Sequence, residues 1–339
     1  MAKNVNAALD GILNKLNEKQ REIVVNRFGL DLREPQTLAA LGERFRITRE
    51  RVRQIEGSAL KIISENIKAN SDLLDVLYQS QELLRKFGGV AHEEDFLREH
   101  KSSISNLDKA QINLLIEALP YFYFYEGDED FHNFYYLTTE NLKSALDLVK
   151  KAENYLSKNK NKIMATKEAL KDLSNNLKLE EKILSAYIKV SKKFHTSPFG
   201  DFGLRGWPEI KPATIRDKAY LILKKKGEPM HFRAITDAIN VTSFDKRKAL
   251  SPTVHNELIK DKRFVLVGRG IYGLREQGYE EGTAREVIAS ILKSKGPMKS
   301  KDIIDAVQKK RFFKPNTILI NLQNKKYFKR TTDGKYSIK

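Results

Sequence analysis

The stretch T-R-E-R-V-R-Q-I-E (residues 48–56) sets three arginines, two glutamates and a glutamine around Val52 and Ile55. On a helix, Val52 and Ile55 share one side, while Arg49, Glu50, Arg53 and Gln54 gather opposite them. That polar set suits the major groove of a duplex. Arginine can hold guanine O6 and N7, glutamine can address adenine, and glutamate can accept from cytosine N4. A solvated surface helix with a Glu50–Gln54 pair accounts for the nine residues equally well, so the decision rests on what surrounds them.

Upstream, Leu16, Ile23, Val24 and Phe28 fall on one side of a first helix that stops at Gly29. After Pro35, Thr37 is placed to cap a short helix carrying Leu38, Leu41 and Phe45. Arg46 and Ile47 form a tight connection, and Thr48 is a second N-cap. The helix that follows is expected to bury Val52, Ile55, Ala59 and Ile62. Two short helices joined by a turn, the second rich in arginine, outline a helix-turn-helix and favour nucleic acid over a solvated face. Thr37 and Thr48, with Arg44 and Arg46 between them, are then phosphate contacts.

Downstream a smaller unit repeats. Residues 83–96 (L-L-R-K-F-G-G-V-A-H-E-E-D-F), 221–235 (L-I-L-K-K-K-G-E-P-M-H-F-R-A-I) and 291–304 (I-L-K-S-K-G-P-M-K-S-K-D-I-I) each pass from an apolar helix end through a basic or glycine break into a second amphipathic helix. Residues 263–274 and 327–338 keep common offsets between Phe, turn glycine, Tyr and a final aliphatic. Both read as β-hairpins, turning at Gly-Arg-Gly and Asp-Gly. Helices closed by one hairpin describe a winged helix. The expected organisation is a helix-turn-helix domain at 1–75, winged-helix-like domains at 80–140, 196–277 and 282–339, and a Lys- and Asn-rich helical connector at 141–195. The fold class is mainly α and multi-domain, with small β-hairpin wings.

The chain has 62 Lys+Arg against 44 Asp+Glu, a net charge of +18, which calls for a polyanionic partner. No apolar run approaches a membrane span, and the N-terminus lacks a signal-peptide core, so nucleic acid is the expected partner and the cytoplasm the expected compartment. Cysteine is absent, and the six histidines show no metal-ligand spacing. No P-loop or G-x-S-x-G occurs. The expectation is a protein without enzymatic activity, metal, cofactor or small-molecule substrate. His92 and His231 occupy the same place, at the start of a second repeat helix, which points to capping or packing.

L-N-E-K-Q-R-E-I-V-V-N-R-F-G-L (residues 16–30) followed by T-L-A-A-L-G-E-R-F-R-I-T-R-E-R-V-R-Q-I-E-G-S-A-L (residues 37–60) closely resembles region 4 of housekeeping bacterial sigma factors. In that family this helix-turn-helix reads the upstream promoter hexamer and leans on the polymerase β-flap. The resemblance gives Arg49, Glu50, Arg53 and Gln54 base-reading roles, Thr37 and Thr48 backbone ones, and double-stranded DNA and RNA polymerase as partners. T-I-R-D-K-A-Y-L-I-L-K-K-K-G-E-P-M-H-F (residues 214–232), with F-V-L-V-G-R-G-I-Y-G-L (residues 264–274), resembles the HARE-type helix-turn-helix domain, a winged helix also found in the delta subunit of bacterial RNA polymerase.

Secondary DNA contacts are expected from Lys246, Arg247 and Lys248, from Arg269 at a wing tip, and from Lys310, Arg311 and Asn321 in the last repeat. The first repeat differs. Glu126, Asp128, Glu129 and Asp130 stand where its wing would meet a groove, and they would repel phosphate there. That wing is expected to face protein or to be only structural. The resulting reading is a sequence-specific DNA-binding transcription factor that assists or regulates RNA polymerase. The alternatives are a HARE-type DNA-binding accessory acting without polymerase, as a repressor or restriction component, and a protein-interaction scaffold.

Overall fold

The computed structural model describes residues 5–160, 163–279, 282–311 and 313–339. It is mainly α-helical, with small antiparallel sheets. It falls into two compact units, one running to His195 with Asp201–Arg205, the other comprising Thr196–Gly200 and Gly206 onward.

The first unit opens with α1 (Val5–Leu13), α2 (Glu18–Phe28), α3 (Leu38–Phe45) and α4 (Arg49–Lys68). Where the sequence suggested one helix through Leu16 to Phe28, the chain breaks before Glu18. The Asn17 side chain accepts from the Gln20 amide at 2.9 Å, and the Gln20 side chain accepts from the Asn17 amide at 3.2 Å. This reciprocal capping box satisfies two orphan amides and makes a helix start there more stable than continuation.

Next come α5 (Ser71–Lys86), β1 (Val90–His92), α6 (Glu93–Ser103), α7 (Lys109–Ala118), β2 (Tyr123–Tyr125) and β3 (Phe134–Tyr136), with β3 central in its sheet. The same order then recurs at residues expected to be a helical connector. There the structure has α8 (Thr139–Lys158), β4 (Met164–Ala165), α9 (Thr166–Leu177), α10 (Glu181–Lys189), β5 (Phe194–Thr196) and β6 (Asp201–Leu204), with β6 central. The Lys- and Asn-rich composition of this stretch concealed a full winged module, and the Pro/Gly-rich stretch beyond it contains the wing.

The second unit holds α11 (Ile215–Lys226), β7 (Met230–His231), α12 (Phe232–Thr242), α13 (Ser251–Lys260), β8 (Phe264–Gly268) and β9 (Ile271–Leu274). It also holds α14 (Ala284–Lys295), α15 (Ser300–Lys310), α16 (Pro315–Leu322), β10 (Phe328–Arg330) and β11 (Tyr336–Ile338). Four modules therefore share one plan. Their register agrees as well: Ala91 pairs with Tyr135, Met164 with Phe202, Met230 with Tyr272, and Met298 bridges to Tyr336. Each first strand is so short that one central-strand aromatic does most of the work of closing the sheet over the helices. His92 and His231 cap α6 and α12, each accepting the amide two residues on through Nδ1 at 3.3 Å.

Within the first unit the modules stack through their third helices. Leu114, Leu115 and Ile116 of α7 join the cluster that contains Ala59 and Ile63 of α4 and Val24 and Val25 of α2. On α10, Leu184, Ala186, Tyr187 and Ile188 are buried, and the Tyr187 hydroxyl donates to the Gly88 carbonyl beside β1 at 2.7 Å. Gly88 has φ +75°, and a Cβ there would lie 2.6 Å from Ile183, so both the backbone and the α10 contact demand glycine. The acidic wing of this module lies along residues 190–193. Phe131 bridges to Ser191, His132 N–H donates to the Val190 carbonyl, and Lys193 pairs with Asp130 at 3.4 Å. One edge of the wing is thus held by its own chain, while Glu126, Asp128, Glu129 and Asp130 stay exposed.

Candidate nucleic-acid interface

The α3–turn–α4 corner is built around Ile23, Leu41 and Val52, all buried, with Leu38, Phe45, Ile47 and Ile55 packed against them. The turn is tight. Arg46 sits in the left-handed region at φ 53°, and Ile47 N–H donates to the Gly42 carbonyl at 2.9 Å. A Cβ on Gly42 would come within 2.8 Å of the Ile47 carbonyl oxygen, so a larger residue would splay the two helices. Arg27 of α2 pairs with Glu56 of α4 at 3.2 Å and donates to the Gln36 carbonyl, fixing the azimuth of α4. Desolvation raises the Glu56 carboxyl above the usual range, against the pull of Arg27.

Thr37 and Thr48 are both N-caps. Their hydroxyl oxygens accept the amides of Ala40 at 3.2 Å and Arg51 at 3.1 Å. In the N-terminal half of α4 Val52 is the one fully buried side chain, with Ile55 half-buried against the same cluster, and Arg49, Glu50, Arg53 and Gln54 are all exposed. Arg53 donates twice to Glu50, at 2.9 and 2.7 Å, and this bond holds the Glu50 carboxyl below its ordinary value. Gln54 accepts from Arg51 at 3.1 Å. Arg51, a residue the sequence reading did not single out, therefore sets the Gln54 amide. Arg49 forms no ion pair among the described residues. Arg46 is exposed at the turn, and Arg44, also exposed, lies over Phe45 and donates to buried Asn26 at 2.8 Å.

In the second unit, Lys246, Arg247 and Lys248 are exposed between α12 and α13. Their loop is anchored by Asp245, which pairs with buried Lys218 at 2.6 Å. Arg269 is exposed at the β8–β9 turn. One of the expected contacts in the last module needs correction. Arg311 is only 6% exposed, with its guanidinium 5.1 Å from the Phe313 ring, so it belongs to the module's packing. Asn321 is half-buried, and its amide donates to the Thr317 carbonyl of its own helix at 2.8 Å. Lys310 is half-buried.

Charge is unevenly distributed over the modules. Residues 71–138 carry 5 Lys+Arg against 13 Asp+Glu, whereas residues 279–339 carry 15 against 6. No described helix is long and apolar enough to cross a membrane.

The matches to known proteins fall on two of these regions. Residues 12–64 match Sigma-70, region 4. That segment includes the whole α2–α4 corner. Residues 213–277 match HARE-HTH, the ASXL and restriction endonuclease HTH domain, which covers α11 through β9. The sigma-like segment is 42% identical over 62 residues to RNA polymerase sigma factor RpoD of Helicobacter pylori, covering 18% of this chain and 9% of that protein. It is 43% identical over 53 residues to RNA polymerase sigma factor SigA1 of Synechococcus elongatus, covering 16% of this chain and 13% of the relative. RNA polymerase sigma factor SigA of Lactococcus lactis is 42% identical over 53 residues, 16% of this chain and 15% of its own length. The chain thus spans 9–15% of the length of these relatives.

Proposed function

We propose that this chain is a non-catalytic, sequence-specific DNA-binding transcription protein that recognises a promoter-like element through α4 and works with RNA polymerase. One observation carries the reading. A rigidly braced helix-turn-helix, matched to Sigma-70 region 4, leaves Arg49, Glu50, Arg53 and Gln54 exposed on the first two turns of its second helix. In the major groove, Arg49 and Arg53 address guanine, Gln54 addresses adenine, and Glu50 either orients Arg53 or accepts from cytosine. Thr37, Thr48 and Arg46 hold flanking phosphates, with the first-turn amides of α3 and α4 directed outward. Double-stranded DNA and RNA polymerase are the partners, which places the protein in the bacterial cytoplasm or nucleoid.

The test is co-purification of the tagged chain with native RNA polymerase after nuclease treatment, paired with selection of bound duplexes from a random pool. Stoichiometric polymerase and a recovered motif are the expected results. A motif without polymerase would establish the second reading, a DNA-binding accessory independent of the enzyme. That reading is favoured by the confinement of the sigma likeness to 53–62 residues. A polymerase complex with no recovered motif would overturn base reading by α4.

A further inference from the structure

The last module, matched by neither family model, carries a cleft between the end of α16 and the β10–β11 hairpin. It is lined by Gln323, Lys325, Lys329, Arg330, Tyr336 and Lys339, with no Asp or Glu side chain among its walls. All four cations are exposed, and none forms an ion pair among the described residues. The Arg330 guanidinium lies 6.0 Å from the Tyr336 ring centroid.

The preceding module shows that the fold does not require these charges. Phe264 pairs with Leu274 as Phe328 pairs with Ile338, so the two hairpins align residue by residue. At the offsets of Lys325, Lys329, Arg330 and Lys339 the sister module has Asp261, Val265, Leu266 and Arg275. There Asp261 neutralises Arg263 at 2.7 Å, Val265 is buried and Leu266 is 47% exposed. Three cations have thus replaced an acid and two aliphatics around this cleft. Like charges around one cleft repel one another, and no carboxylate side chain lines it to offset them.

We infer that this cleft is a second nucleic-acid site, taking the sugar-phosphate backbone independently of base sequence. The four cations neutralise successive phosphates. Tyr336 offers a ring edge to a sugar or base, and the Gln323 amide a hydrogen bond. The exposed Asn316, Thr317 and Ile320 of α16 do not line the cleft, and the site does not depend on which bases α4 reads. A strand crossing two hairpin strands and the α16 end fits the spread of cations better than a single small anion does.

The experiment uses the full chain with a labelled 20-base-pair duplex of arbitrary sequence, followed by fluorescence anisotropy at several salt concentrations. The combined variant Lys325→Ser, Lys329→Ser, Arg330→Ser and Lys339→Ser should bind at least about tenfold more weakly. Its log–log salt slope should be shallower by about three to four, since each lost phosphate contact removes about 0.9. The control removes the same charge from the same module, with Lys293→Ser, Lys295→Ser, Lys301→Ser and Lys309→Ser, and should lose less than about threefold with a smaller change of slope. Circular dichroism melts verify that both fold. Equal losses in the two variants, or no loss in the first, would overturn the site. So would preserved duplex binding combined with lost binding of inorganic phosphate, which would assign a small anion, or of hexaglutamate, which would assign an acidic protein.

Discussion

The third helices of the four winged modules occupy one position in the fold and meet opposite fates. On α7 the buried residues Leu114, Leu115 and Ile116 are consecutive, and on α10 so are Ala186, Tyr187 and Ile188. Consecutive burial wraps about 200° of a helix, so these two helices have a neighbour on more than one side. On α13 only Val254 and Leu258 are buried, and on α16 only Ile318 and Leu322, each pair spaced by four. That is a single fully buried stripe, flanked by half-buried residues such as His255 and Leu319, and the opposite side of each helix is exposed. Occupying the place of a reading helix therefore does not make a helix a reader. The width of the apolar stripe decides whether it packs against protein or is left free.

The comparison breaks most easily at stability. Leu115→Ala on α7 should destabilise the first unit by about 2–5 kcal/mol, because a fully buried side chain between α7 and α4 leaves a cavity. Ile320→Ala on α16, where Ile320 is 67% exposed, should stay within about 0.5 kcal/mol. Chemical denaturation of the two variants measures both. Equal costs would show that α16 is covered as α7 is.

The acidic first module should also answer to pH. His100 on α6 is fully buried beside Phe96, and burial pushes its imidazole down to about 4, against a smaller opposing contact with the Ser105 backbone. A base depressed in the folded state stabilises the fold above its unfolded value and loses that contribution as pH falls toward the folded one. The loss should run from about pH 6.5 to about pH 4 and reach up to about 3 kcal/mol. His100→Leu should flatten that part of the stability profile while leaving neutral-pH stability within about 1–2 kcal/mol. An unchanged profile would place the acid sensitivity in the carboxylates instead.

Much of this was legible in the chain. The turn between α3 and α4, both threonine caps and the two histidine caps follow from local hydrogen-bonding chemistry, which neighbours alone determine. The hairpins at 263–274 and 327–338 were legible because turn glycines mark them. The module at 139–204 was not, because its lysines and asparagines diluted the apolar stripe. Yet a signal was present: Phe194 and Phe202 keep the eight-residue spacing of Phe264–Tyr272 and Phe328–Tyr336, and Met164 precedes its helix as Met230 and Met298 do. Arg311 misled because a charged residue at a helix end reads as surface, and only packing against Phe313 reveals otherwise. The cations of the last hairpin stand out only once the sister hairpin is superposed on them in register.

On the free side of the comparison, Arg49→Ala should weaken binding at the preferred site by about 1–3 kcal/mol and relax selectivity at one base pair. Affinities for a panel of single-base variants measure this. A uniform loss across the panel would make Arg49 a phosphate contact. Arg53→Lys sharpens the same question. Lysine cannot reproduce the two-pronged bond to Glu50, so Glu50 would be released and any preference set by that pair should change identity rather than merely weaken.

The smallest expected effect concerns the acidic wing, and it separates charge from structure. Asp128 accepts the Tyr125 hydroxyl at 2.6 Å and the amides of Asp130 and Phe131, and Asp130 faces Lys193, so replacing either would disturb the loop itself. Glu126 and Glu129 form no ion pair among the described residues. Glu126→Ser with Glu129→Ser removes two negative charges from the most acidic module while leaving the wing's attachment to residues 190–193 in place. Because these two carboxylates would repel phosphate, DNA affinity should stay the same or rise less than about threefold through relief of long-range repulsion, and the rise should vanish at high salt. A marked loss of affinity would mean that the wing takes part in binding despite its charge, and the division between packing modules and reading modules would fail at its most acidic point.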